Sequence, residues 1–384
     1  MINLEAFLAQ KPLFYDVIDY ERFPRAYLTI AHVLPTPKII HLVGTNGKGS
    51  TGRFLATALN RAGKKTGHYT SPHILKFNER IWINGEDISN VNLEVAHQKL
   101  SGFLDAKIAE SLSYFEYTTL LAMVAFEGCE YVVLEAGLGG EFDATNVFNK
   151  VLSIFTPIDF DHSVFLGSTI ESIANTKLRS MQYHALLGIQ KHPEVEIIAS
   201  EIALDKKCQL HKIQEFAGSD IHSIGLQLAL KNTLSDYLRD NCELAMAAFE
   251  LLGYKAQEEY FDQNALFGRL SRIRENVTLD VGHNALAASA IGEAFRGKKI
   301  TLVYNTYADK DYREILTLLA NIIESVEIIA VDEERIVSQT LLETTLDEIG
   351  LQYGSFDSID PEKEYLVFGS FSVAEAFLKR INNP

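Results

Sequence analysis

The sequence predicts an α/β protein in two parts: a larger parallel-sheet domain over residues 1–265 and a smaller α/β domain over residues 266–384. Three observations predict it. The stretch KIIHLVGTNGKGSTGRFLATALNRA at 38–62 reads as strand, glycine-rich turn and helix, the switch from which open parallel sheets are built. Later apolar runs of strand length, at Thr278–Val281, Lys299–Tyr304, Glu327–Val331 and Tyr365–Phe368, alternate with helical stretches in a βαβ rhythm. The 384 residues, 47% of them hydrophobic, exceed what one core needs, and the turn signal in NALFGRLSR near 264–272 marks the change of domain.

Residues 1–35 read as short helices ending near Pro35 and Pro37, with Arg22 and Arg25 on a solvated face. Ile39–Val43 is a short, mostly apolar buried strand. Gly44, Gly47 and Gly49 follow with Lys48 between the last two, and Ser50 and Thr51 open a helix whose apolar face carries Phe54, Leu55, Ala58 and Leu59 before Gly63 stops it. This is a phosphate cradle of P-loop type. Glycines let backbone N–H groups converge on phosphate oxygens, the helix N-terminus adds its positive end, Lys48 neutralises charge, and the Ser50 hydroxyl can coordinate Mg²⁺. The strict spacing G-x-x-x-x-G-K-[ST] is not met, because Gly49 separates Lys48 from Ser50.

Thr66–Thr70 is the next strand, leading into Ser71, Pro72 and His73. Ser71 stands where open sheets bind ligands, and Lys76 with Arg80 makes an anion clamp. Residues 90–128 read as helical. Tyr131–Leu134 is a buried strand ending in Glu135 beside Gly137, Gly139 and Gly140, which suits an Mg²⁺ ligand near the first loop's phosphates or equally a strand-end acid facing water. Val151–Ile158 leads to Asp159, Asp161 and His162, types that fit a metal or a phosphate-linked water, and then to a helix over Ile170–Met181 carrying Lys177. Residues 183–235 carry no motif. Glu194–Ser200 reads as another strand, and the stretch after it as a small edge sheet. Residues 236–253 form a helix, and Asp280-Val281-Gly282-His283-Asn284 closes a strand, where it also reads as a helix N-cap. The 266–384 part is Rossmann-like.

These strings together resemble the folylpolyglutamate synthase and dihydrofolate synthase family, within the Mur ligase superfamily. The resemblance rests on GTNGKGST (44–51), TSPH (70–73) with FNERI (77–81), EAGLGG (135–140) with DATN (143–146), Asp161-His162 with Leu166-Gly167 and Lys177, the Asn241, Ala245, Ala247 helix, Gly268-Arg269 with DVGHN (280–284), and ADKD (308–311) with Gly369-Ser370. It covers nearly the whole chain except 183–235. There are departures: Glu141 stands where the family has arginine, Thr176 to Ser180 differ around Lys177, Phe267 replaces a proline, Gly282 an alanine and Ala285 a proline.

The resemblance implies the Mur ligase architecture and ATP-dependent amide ligation, in which a substrate carboxylate is phosphorylated and the acyl phosphate is attacked by the amine of L-glutamate. It implies ATP contacts from Thr45, Asn46, Gly47, Lys48, Gly49, Ser50, Asn241, Arg269 and Asp280. Substrate contacts would come from Arg80, Asp143 and Ala144. One Mg²⁺ would lie on Ser71 and Glu135, another on His162 and a carbamylated Lys177. Lys48, Lys177, His283 and Ser370 would be catalytic. The acceptor would be dihydropteroate or a reduced folate. Other readings are a different Mur-type amino-acid ligase and a nucleotide-binding regulatory protein that has lost ligation.

Composition excludes other classes. A formal charge of −16 argues against general nucleic-acid or anionic-membrane binding. Cys129, Cys208 and Cys242 are scattered without a CxxC, as in a reducing compartment. No run approaches a membrane span and the N-terminal residues carry no secretion signal. A cytoplasmic protein is expected, and the family resemblance implies a monomeric enzyme.

Overall fold

The computed structural model describes residues 3–12, 19–262 and 266–382. The chain divides into two compact units, one of Met1–Leu234 with Leu238–Asn264, the other of Ser235–Tyr237 with Ala265–Pro384. Residues 263–265, against which the expected domain boundary falls, lie outside the described residues.

In the first unit, the described strands are β1 (Lys38–Val43), β2 (Thr66–Tyr69), β3 (Ile81–Ile83), β4 (Glu86–Asp87), β5 (Tyr131–Glu135), β6 (Lys150–Phe155), β7 (His184–Leu187) and β8 (Gln209–Lys212). They form one sheet in the order β4-β3-β2-β5-β1-β6-β7-β8. The pairs from β2 to β8 are parallel, and β3 and β4 add antiparallel edges. Side chains alternate between faces. Ile39, Val132 and Leu134 join one core with the helices Asn90–Phe103 and Tyr114–Ala125. Ile40, Leu42, Val133 and Ile154 join another with the helices Lys48–Arg61 and Asp236–Leu251. Both faces are covered, which is why these strands read as unbroken apolar runs. A third cluster packs the helices Ile170–Leu178 and Pro193–Lys206 beside β6 and β7.

Three expectations need correction. The nucleotide-loop helix begins at Lys48, two residues before Ser50, because Gly47 at φ +88 supplies its N-cap. Glu194–Ser200 is not a strand. It lies inside the helix Pro193–Lys206, with Pro193 in the first turn, Glu194 and Glu196 beside it, and Val195, Ile198, Ala199 and Ala203 buried at helical spacing. The short alternation E-V-E-I mimicked a strand's period. The stretch after it gives one strand, β8, and then the helix Ile221–Asn232 in place of a small sheet.

The second unit's described strands are β9 (Ser271–Arg274), β10 (Val277–Leu279), β11 (Ile300–Tyr304), β12 (Ile323–Ile328), β13 (Tyr353–Ser355) and β14 (Tyr365–Phe368), in the order β13-β12-β11-β14-β10-β9. All pairs are parallel except β9 with β10. Its β12 starts four residues before the expected Glu327, and Ile329–Val331 follow the strand. Leu302, Tyr304, Val326, Leu366 and Phe368 form its core with helix residues such as Ile291, Leu316 and Leu346.

Candidate active site

The site is built where β1, β2, β5 and β6 end, on the carboxyl edge at which parallel sheets receive ligands. The loop after β1 is anchored on the loop after β6: Thr45 N donates to Pro157 O (2.9 Å) and Thr45 Oγ1 to Asp159 O (2.9 Å). Gly47 is required twice over. Its φ is left-handed, and a Cβ there would lie 2.5 Å from Asn241 Oδ1. Sequence reasoning placed Gly47 and Asn241 in one nucleotide site, and the structure brings them side by side.

Lys48 Nζ curls over its own loop, donating to Gly44 O (3.2 Å) and Thr45 O (3.1 Å), and stands 4.0 Å from Glu135 Oε1. The hydroxyls of Ser50 and Thr51 are buried without a hydrogen-bond partner among the described residues. Two orphaned oxygens at the first turn of a helix, beside a lysine and a carboxylate, fit a phosphate chain with its cation. No three His, Cys, Asp or Glu side chains converge as a metal group among the described residues. One carboxylate with hydroxyls and phosphate oxygens is, however, the donor set Mg²⁺ takes in nucleotide sites.

Glu135 ends β5 with 5% of its surface exposed. Its Oε2 accepts from Thr70 Oγ1 and from Ser71 N (3.4 Å). Ser71 therefore meets the carboxylate through its backbone, and the hydroxyl bonded to Glu135 belongs to Thr70, which the sequence reading missed.

Lys177 reaches across from its helix to donate to Gly44 O (2.9 Å). It is buried, and its pKa falls from 10.5 to about 7, first by desolvation and then by the Lys48 charge, with Asp161 and Asp143 opposing. The structure thus gathers Lys48, Lys177 and Glu135 around Gly44. His162 is exposed at φ +53 and pairs through Nδ1 with Asp161 Oδ2 (3.2 Å).

The three expected substrate contacts are buried. Asp143 accepts from Gly137 N, Leu138 N and Thr145 N (2.9 Å each) and from Thr145 Oγ1 (2.5 Å). All four acceptor positions go to its own loop, so Asp143 shapes the glycine turn and presents no free oxygen to a substrate. Ala144, buried, starts the 3₁₀ turn that follows. Arg80 is buried as well, donating through Nε to His73 Nδ1 (2.8 Å) and packing on the rings of Tyr114 (5.2 Å) and Phe77 (5.9 Å). The loop 73–80 is tied by Glu79, unnoticed in the sequence, which accepts from the backbone N–H groups of Ile74, Leu75 and Lys76. The signal was there: an acid three residues beyond a turn.

In the second unit, Asp280 is again inward. Tyr237 OH (2.8 Å) and Leu270 N (3.0 Å) donate to its Oδ2, and Gly282 N (2.8 Å) to its Oδ1. These bonds make it an organiser of its loop. Asn284 caps the helix Ala285–Ala294. His283 Nδ1 lies 3.2 Å from Val281 O. Ser370 is buried, and its Oγ accepts from Val373 N (3.1 Å). The Arg269 guanidinium lies 5.6 Å from the Phe371 ring.

None of the family models compared matches this chain. Known proteins do. The dihydrofolate synthase/folylpolyglutamate synthase of Haemophilus influenzae is 31% identical over 327 residues, spanning 76% of this chain and 74% of that protein. The crystal structure of Helicobacter pylori folylpolyglutamate synthetase superposes with a TM-score of 0.80 at 40% identity, covering 99% of this chain and 98% of the other. Escherichia coli FolC in complex with DHPP and ADP superposes with a TM-score of 0.82 at 25% identity, with 99% and 98% covered. With the GTNGKGST loop, the strand-end glutamate and the buried lysine in one place, this chain belongs to the dihydrofolate synthase/folylpolyglutamate synthase family.

Proposed function

We propose that this protein is an ATP-dependent ligase that joins L-glutamate to dihydropteroate and to reduced folates. The γ-phosphoryl group of ATP passes to the pteroate or folate carboxylate, ADP leaves, the glutamate amine attacks the acyl phosphate, and phosphate is released as the amide forms. One observation carries the reading: the Lys48 and Lys177 amines meet at Gly44 O, with Glu135 beside Lys48, on the carboxyl edge of the sheet.

Lys48 and the N–H groups of Asn46 to Ser50 hold the phosphates, Thr45 anchors the loop beneath them, and the buried Ser50 hydroxyl supplies a further oxygen to their cation. Asn241, beside Gly47, sits against the nucleotide. Magnesium, when bound, neutralises phosphate charge and lowers the cost of charge build-up in transfer. Ser71 and Glu135 would hold one ion; His162 and Lys177 would hold a second once Lys177 is carbamylated. The lowered pKa favours that modification, since only the unprotonated amine adds to carbon dioxide. Arg80 attracts the anionic acceptor, while Asp143 and Ala144 fix the wall of its site. His283 and Ser370 orient glutamate. Because Ser370 Oγ accepts from Val373 N, its own proton remains available to donate. In the second unit, Asp280 shapes the loop after β10 that carries His283. The enzyme is a cytoplasmic monomer without a nucleic-acid partner in this reading. Among the described residues no helix is long and apolar enough to cross a membrane.

The test is ADP release from the purified protein with Mg²⁺-ATP, L-glutamate and either dihydropteroate or tetrahydrofolate, with Lys177→Ala alongside. Turnover with both acceptors, lost in the variant, is expected. Turnover with tetrahydrofolate alone would remove the dihydropteroate activity, and none with either acceptor would refute ligation.

A further inference from the structure

The segment between β7 and the helix Pro193–Lys206 carries no motif, yet it braces the nucleotide loop from behind. Thr45 Oγ1 is locked to the backbone of Asp159 in both directions: it donates to Asp159 O (2.9 Å) and accepts from Asp159 N (3.0 Å). Asp159 is in turn gripped from the far side. His192 Nε2 lies 2.8 Å from Asp159 Oδ1, and Lys191 Nζ lies 3.4 Å from Oδ2. A carboxylate only accepts, so His192 is the donor. Burial alone would raise the Asp159 pKa; the bonds from His192 and from Phe160 N outweigh it and hold the carboxyl below its ordinary value.

A second strut runs parallel to the first. Gln190 Oε1 accepts from Ile158 N (2.9 Å), and its Nε2 donates to Gly188 O (3.0 Å) and Thr156 O (3.4 Å). Both struts end on the Thr156–Asp159 segment, and that segment holds Thr45 N and Oγ1. The Phe160 ring meets the His192 imidazole edge-on at 5.7 Å. Asp159 is 6% exposed, so its partners are fixed by packing and are not traded for water.

We propose that His192 and Gln190 are positioning residues for nucleotide binding: through Asp159 and Ile158 they set the height of Thr45, and hence of the N–H groups from Asn46 to Ser50, relative to the sheet. The proposal rests on the reading of the 44–51 loop as the ATP site. Neither residue touches a phosphate. Each acts one bond removed, and loops that present backbone donors to phosphate are sensitive to displacements well under an ångström.

The experiment compares wild type, His192→Ala, His192→Gln and Gln190→Ala by calorimetric titration with Mg²⁺-ADP, by KM and kcat for ATP, tetrahydrofolate and glutamate, and by thermal unfolding. His192→Ala and Gln190→Ala are each expected to weaken ADP binding and raise the ATP KM by about five- to tenfold, as a lost hydrogen bond transmitted to several donors would. The KM for tetrahydrofolate should stay within twofold of wild type, about the scatter expected where no contact changes. His192→Gln, whose amide nitrogen can replace Nε2, should recover most of the loss. A purely structural role would lower stability and weaken all three substrates alike, with no selective rescue. ADP binding unchanged in both alanine variants, or His192→Gln no better than His192→Ala, overturns the proposal. Wild type that fails to bind ADP overturns the nucleotide-loop reading itself, a result separate from either.

Discussion

Replacing Lys177 with methionine should make the protein more stable at neutral pH while abolishing ligation. The ammonium is buried, with a pKa near 7 against 10.5 for a free lysine. The folded-state value lies below the unfolded one, so between about pH 7 and 10.5 the unfolded chain holds a proton that the folded chain does not. Stability therefore climbs with pH across that window, by about 1.4 kcal/mol per pH unit from this one group. At pH 7 the unfolded chain is protonated and the folded chain about half so, and keeping this lysine buried costs the fold about 4 kcal/mol. Methionine has similar length and no charge, but it gives up the bond to Gly44 O, worth about 1 to 2 kcal/mol. The net expectation is a gain of about 2 to 3 kcal/mol at pH 7, shrinking to near zero by about pH 9.

Urea unfolding of wild type and Lys177→Met from pH 6.5 to 9.5, in carbon dioxide-depleted buffer, measures this directly. The difference between the two proteins isolates Lys177 from Lys150, whose pKa is also lowered to about 7 and which titrates in both. ADP release should be absent in the variant at every pH. A stability difference that does not change with pH would refute the argument, because it would mean the lysine is not held unprotonated by the fold. A site that keeps a cation buried at a thermodynamic loss is where stability and activity trade against each other.

Two other perturbations test the frame around the site. Gly47→Ala places a methyl group 2.5 Å from Asn241 Oδ1 at a left-handed φ. It should cost about 1 to 2 kcal/mol of stability in urea unfolding and weaken ADP binding at least tenfold in titration. Arg22→Ala breaks the bidentate pair with Glu116 (3.0 to 3.2 Å), whose side chains are 16% and 12% exposed. It should cost about 2 kcal/mol, seen as a lower thermal midpoint, with the ADP affinity unchanged. The pair also shows why Arg22 was misread as a solvated residue: its partner lies 94 positions away, beyond any local pattern.

The fold class was legible because its signals are local. A strand ends in glycine, a helix starts, and an apolar run repeats; nothing distant is needed to see it. The cradle at 44–51 was legible for the same reason. Residues 188–192 were not, because Gln190 and His192 act only through the loop after β6, some thirty positions earlier. The strand-end acids show where the local reading fails. Glu135 was read as a ligand contact from its place at a strand end beside a glycine-rich turn, and Asp143 and Asp280 from the family resemblance alone. Only Glu135 keeps its carboxylate at Lys48. Asp143 and Asp280 each accept from the N–H two residues on, at Thr145 and Gly282, and gather further donors from their own loops. That turn is the one a short acidic side chain makes with its own backbone, and it competes with any ligand for the same oxygens. Glutamate, one methylene longer, does not close it, and Glu135 instead accepts from Thr70 and Ser71 beyond the neighbouring strand β2. The difference between aspartate and glutamate was present in the sequence, and it separates the acid that stands at Lys48 from the acids that hold the loops in shape.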